Sequence, residues 1–173
     1  MVPTEEQAKA LWEKYRVPET KRIHLALVAR VTMMLAERFR VDKKLLLAAA
    51  LLHDIDKAQG GKHPERAVAI LEKEGMNEVA EIVKTHSLHS ILDPDGSPKS
   101  WEQKLLYLSD KMVKYDIVGV DQRFALWNAE HLPQKDQKIL DACYPKVKQL
   151  EQEVFRLAHL SLDDILKKKE GIV

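Results

Sequence analysis

Apolar residues along the chain recur every three and four positions, and polar punctuation separates the runs. Val28, Val31 and Leu35 keep this spacing in a segment from about Thr20 to Phe39. Ile139, Cys143, Val147, Leu150, Val154 and Leu157 keep it in a longer segment that Pro133 opens. Period-two alternation is absent, so the pattern predicts an all-α fold. Capping residues set the expected boundaries. Thr4-x-x-Gln7 is a capping box for a first helix to about Tyr15. A third helix is expected from near Asp42 to near His53. Pro64 suits the first position of a fourth, which Gly75 closes. Asn77 caps a fifth to about Ser90, and the turn-rich DPDGSPKS follows. Ser100-x-x-Gln103 starts a sixth, to about Tyr115, and a short helix covers about Asp121 to Ala129. Pro145 is expected to kink or divide the long helix, and Ser161-x-x-Asp164 caps a last one.

Composition narrows the class. The chain has 173 residues, 45% hydrophobic and 32% charged, which reads as one soluble globular domain. A formal net charge of +1 supplies no bulk field towards nucleic acid or an anionic membrane. Cys143 is the only cysteine, so no intrachain disulfide is expected and a reducing, cytoplasmic setting is the expectation. No uncharged run approaches membrane-spanning length, and MVPTEEQAKALWEKY is acidic and amphipathic, unlike a signal peptide.

Chemistry gathers on the apolar faces. His24 shares a face with Val28 and Val31, and His86 shares one with Val79, Ile82 and Val83. Asp110 aligns with Leu106 and Val113, and His53-Asp54 ends the apolar run AAALL. Lys57 and a Gly60–Gly61 turn come next, then His63. Buried aspartates need an arginine, a lysine or a metal. Imidazoles and carboxylates on several inward faces make a shared cation the simplest solution, and helix-bundle cores are a common place for such sites. On spacing alone, Lys57 is either a phosphate donor or an exposed lysine. His63 is either a ligand or a solvent-facing residue at a helix start. Trp12, Trp101, Trp127 and Phe124 are read as packing residues.

The order RIHLALVA (His24), LLHDIDK (His53, Asp54, Lys57) and LYLSDK (Asp110) resembles the HD superfamily of metal-dependent phosphohydrolases. The resemblance covers roughly residues 18 to 125 and implies an HD-domain helical bundle. The segment from about 133 to 170 would then be an added helical extension that covers the pocket, lengthens the bundle or forms a homodimer seam. KHPERAVAILEKEG (His63) and EIVKTHSLH (His86) look like the small two-metal branch that includes bacterial diadenosine tetraphosphate hydrolases. The resemblance implies a first metal on His24, His53, Asp54 and Asp110, and a second on Asp54, His63 and His86, with Asp54 bridging. His86-Ser87, and the missing Gly-Tyr-Pro after it, depart from the cyclic-di-GMP branch and argue against that substrate. Asp56 stands where that family commonly has glycine; it is expected to face water, with pairing to Lys57 or proton uptake as alternatives.

The implied reaction is hydrolysis of a phosphate ester or anhydride of a nucleotide or related small molecule. Two cations hold a bridging hydroxide beside the phosphate, while Lys57 opposes charge on a non-bridging oxygen. Asp54 and Lys57 are the catalytic candidates; Arg22, His89, Lys111 and Arg123 are further substrate-binding candidates. Iron or manganese suits the imidazole–carboxylate set best, with cobalt, nickel, zinc or magnesium as alternatives. Competing functions are a di-iron oxygenase of the same superfamily and a non-catalytic nucleotide-sensing module. The loop DPDGSPKSW, between His86 and Asp110, is expected to border the pocket.

Overall fold

A computed structural model of the chain describes residues 1–58 and 62–170. The expected Gly60–Gly61 turn lies outside the described residues. Among them the helices are α1 (Glu5–Lys14), α2 (Glu19–Ala36), α3 (Lys43–Leu52), α4 (Glu65–Lys73), α5 (Asn77–Val83), α6 (Trp101–Lys111), α7 (Gly119–Asn128), α8 (Gln134–Ala158) and α9 (Leu162–Glu170). A 3-10 helix (Leu88–Leu92) lies between α5 and α6, and the described residues form no strand. The all-α expectation holds.

The centre of the bundle is α3, which packs against α1, α2, α5 and α6. Its sequence KKLLLAAALL is apolar almost all round, as a helix enclosed by others must be. Ala48, Ala49 and Ala50 are buried and let neighbouring helices come close. Asp42 opens α3 by accepting hydrogen bonds from the Lys44 and Leu45 amides. The Trp12 indole donates to the Leu51 carbonyl over 2.7 Å and ties α1 to the end of α3. The capping boxes at Thr4–Gln7 and Ser100–Gln103 form as expected, and Ser161 and Asp164 pair reciprocally before α9.

Several helices end earlier than the spacing predicts. α2 stops at Ala36, and Phe39 turns to pack its ring against Trp101, with centroids 4.7 Å apart. α5 stops at Val83 because side chains of the next residues take its free carbonyls: Thr85 Oγ1 bonds Ile82 and His86 Nδ1 bonds Val83. His86 therefore sits in the break after α5, not on it. α6 stops at Lys111, since the amides of Val118 and Gly119 both turn back to the Met112 carbonyl. Asn77 is the first residue inside α5, with Met76 at the cap, and Pro64 caps α4 from outside.

α8 runs unbroken through Pro145. Pro145 faces solvent, so water can serve the carbonyl its missing N–H leaves free. The buried residues of α8 are Leu140, Cys143, Val147, Leu150, Glu151, Val154 and Ala158; Leu157 is 38% exposed. α8 packs against the 3-10 helix, α7, α6 and α2, so this segment lengthens the bundle.

Gly119 opens α7 at φ 81°, a conformation that disfavours a side chain. A Cβ there would lie 2.6 Å from Leu162 Cδ2 on α9. Gly119→Ala is expected to destabilise the fold by about 2 kcal/mol, from left-handed backbone strain plus overpacking. Urea denaturation checks this; an unchanged midpoint would show that α9 yields freely.

Candidate metal centre

Four histidines from different elements meet in one cluster, with His24, His63 and His86 lining a cavity and His53 fully buried behind them. His24 comes from the first turns of α2, His53 from the residue after α3, and His86 from the break after α5. His63 precedes Pro64 at the start of α4. In each ring, Nδ1 faces an acceptor. It lies 3.2 Å from the Lys114 carbonyl in His24, 2.8 Å from Ala50 in His53 and 2.5 Å from Val83 in His86. In His63 it lies 3.0 Å from both Asp56 oxygens. A carbonyl can only accept, so Nδ1 carries the proton and neutral imidazole leaves Nε2 with its lone pair inward.

The Nε2 atoms converge on two aspartates. His24 Nε2 is 3.0 Å and His53 Nε2 3.4 Å from Asp110 Oδ1. His63 Nε2 is 3.4 Å and His86 Nε2 3.7 Å from Asp54 Oδ1. The Nε2 atoms of His63 and His86 face each other at 2.8 Å. Buried Nε2 of His53 has no hydrogen-bond partner. Ligand atoms of His24, His53 and Asp110 lie within 4.8 Å of one another, as do those of His53, Asp54 and His86, and of Asp54, Asp56 and His63. An orphaned buried nitrogen, opposed lone pairs and two carboxylates fit divalent cations of the imidazole–carboxylate type.

The electrostatics agree. Burial opposes charge on Asp110, yet Lys111, His24 and His53 hold its carboxyl well below the usual range. Burial likewise opposes charge on Asp54, and His86, His53 and Lys57 hold it well below normal. Burial pushes the His86 imidazole down to about 4, so near neutral pH it is an uncharged donor. Burial opposes charge on His53 too, but Asp110 and Asp54 more than offset it and raise its pKa. Carboxylates that favour a proton there favour a cation in its place.

The cavity above the cluster measures about 400 Å³ and is also lined by Lys21, Lys57, Lys114, Tyr115 and Arg123. Lys21 and Lys57 flank Asp54, each at 3.4 Å.

Residues 22–114, more than half of the chain, match the HD domain family. The chain belongs to the HD domain family. Over 180 aligned residues this HD domain protein is 24% identical to the tRNA (cytidine(56)-2'-O)-methyltransferase of Picrophilus torridus, covering 96% of this chain and 50% of that protein. The chain thus spans about half the length of that relative. No solved structure matches it. No helix among the described residues is long and apolar enough to cross a membrane.

The HD domain fold brings together His24, His53, Asp54, His63, His86 and Asp110 and sets Lys57, His89 and Lys111 in the cavity wall, and α7 adds Arg123 to it. Lys111 is almost fully buried there, donating to Asp110 Oδ2 at 2.5 Å and to the His86 carbonyl at 2.6 Å. Arg22 is not in the cavity. Two residues from His24 on a helix, it points elsewhere and is held by Glu13 and the Val17 carbonyl. Asp56 does not face water; it is buried and bonded to His63. The loop between Asp93 and Ser100 contributes nothing to the cavity lining, because the 3-10 helix and α6 carry the chain away from it.

Sequence reasoning missed Lys21, Lys114 and Tyr115. Lys21 was within reach of it, being three residues before His24 on the same helical face. Lys114 and Tyr115 sit in the turn between Val113 and Ile117, which pair across a short bridge, and no periodicity marks such a position.

Proposed function

We propose that the chain is a metal-dependent phosphohydrolase that cleaves a phosphate ester or anhydride of a nucleotide or related small molecule. The observation that carries this reading is the clamping of all four imidazoles at Nδ1, with every Nε2 turned towards Asp54 or Asp110. His24, His53, Asp54 and Asp110 would hold one ion, and Asp54, His63 and His86 a second, with iron or manganese the best-suited metals. When bound, such ions supply Lewis acidity that lowers the pKa of water towards neutrality. Lys21 and Lys57 stand beside Asp54 to receive non-bridging phosphate oxygens and oppose their growing charge. A cavity of about 400 Å³ suits a small molecule better than a nucleic-acid strand.

The Picrophilus protein is named for methyl transfer to tRNA, but it is about twice as long as this chain. The reading here rests on the chain's own imidazole–carboxylate cluster. The test is hydrolysis of nucleoside mono-, di- and triphosphates, dinucleoside polyphosphates and cyclic dinucleotides, read by chromatography of the products, with manganese, iron, cobalt or magnesium supplied, under anaerobic conditions and again in air. Turnover of at least one class, lost on chelation, is expected. No hydrolysis of any of them with any metal overturns the reading, and cleavage that occurs only in air assigns the site to oxygenase chemistry.

A further inference from the structure

Arg123 stands on α7, beyond the segment that matches the HD family. Its Nε and Nη1 are buried without a hydrogen-bond partner, and its Cζ lies 3.7 Å from the centre of the Trp127 ring. Burial pulls its pKa down against the attraction of Asp110 and Glu130. Arg123 is half-buried, and two guanidinium nitrogens stripped of water without an acceptor are unfavourable until an anion reaches them. Since the side chain lines the metal cavity, that anion is one held in the cavity.

A second cavity, of about 270 Å³, adjoins the first: Leu88 and His89 line both. Its other walls include Trp127, Leu132, Ile139 and Leu140. Arg123 and Trp127 are four residues apart on one face of α7, so a single helix serves both cavities. The polar cavity suits phosphate, and the largely apolar one suits a flat ring.

We propose that α7 and α8 build a leaving-group subsite, in which Arg123 receives an anionic substrate oxygen and the cavity beside Trp127 receives a flat ring on the departing group. This rests on the phosphohydrolase reading and deepens it, because ring-bearing phosphates are then preferred over sugar or polyol phosphates. In the hydrolysis, water oxygen bonds to phosphorus, the P–O bond to the ring-bearing alcohol breaks, and the alcohol leaves with a proton from the water. Ile139→Trp fills the second cavity. Leu132→Lys, at a half-buried position in the segment between α7 and α8, places a charge in it and leaves the sequence of both helices unchanged.

The experiment compares adenosine 5′-monophosphate, phenyl phosphate and ribose 5-phosphate on the metal-loaded protein, and measures adenosine binding by calorimetry. At least one ring-bearing ester is expected to exceed ribose 5-phosphate in kcat/KM by about thirtyfold, and each variant to cut that ratio about tenfold. The preference between the two ring-bearing esters identifies the ring. Arg123→Met is expected to raise KM for all three. Equal turnover of ring-bearing and ring-free esters, unmoved by either variant, overturns the subsite and leaves the phosphohydrolase reading intact. If no ester is cleaved, adenosine binding that both variants abolish supports the subsite, and the phosphohydrolase reading is then decided by the wider set of nucleotides. Absence of both turnover and binding overturns the subsite.

Discussion

Asp54→Ala is expected to lower turnover roughly a thousandfold, which corresponds to several kcal/mol of lost charge stabilisation. Asp54 is the hinge of the cluster. Its carboxylate lies within 4 Å of His63, His86, Lys57 and Lys21. It belongs to two of the three ligand groups, so its loss weakens both halves of the site at once. The variant also leaves Lys21, Lys57, His63 and His86 without their shared carboxylate. Metal content by elemental analysis should drop alongside turnover. An Asp54→Ala protein that keeps its metal and its rate would place the reaction elsewhere in the molecule.

Lys111→Met is the second large expected effect, and it acts on stability. The Lys111 side chain is 2% exposed, and its ammonium bridges Asp110 and the His86 carbonyl while lying over the Tyr107 ring at 4.5 Å. Methionine fills the space and removes the charge. Asp110 then keeps a poorly hydrated carboxylate with only histidine partners, and the His86 carbonyl loses its donor. Breaking one side of a buried pair in this way costs about 3 kcal/mol. Chemical denaturation of the metal-free protein measures it. Saturating metal should restore part of the loss, because a cation can neutralise Asp110 in place of the ammonium. A loss below about 1 kcal/mol would mean that water reaches Asp110 freely.

Much of this architecture is legible in the residue order, and particular residues show why. Thr4, Asp42 and Ser100 mark helix starts because side-chain caps are local chemistry, satisfied within three residues. His24, His53, Asp54 and Asp110 stand out because polar groups on apolar faces need partners. Helix ends were harder to place. α5 and α6 stop where His86, Thr85 and the Met112 carbonyl make bonds that apolar spacing does not encode. The direction of Asp56 is illegible for a related reason: it depends on how the chain leaves α3 and on the contact with His63, seven residues on, which spacing does not encode. Arg22 shows the converse. Its charge is conspicuous in the sequence, but its position two residues from His24 already turns it away from the cavity.

The imidazole clamps carry a consequence for how such a centre persists. Lys114, Ala50 and Val83 hold three of the rings through peptide oxygens, which every amino acid supplies. Drift in side-chain identity at those three positions leaves the hydrogen-bond acceptors in place. The aim of those three rings is therefore inherited with the path of the backbone and not with the residues that supply it.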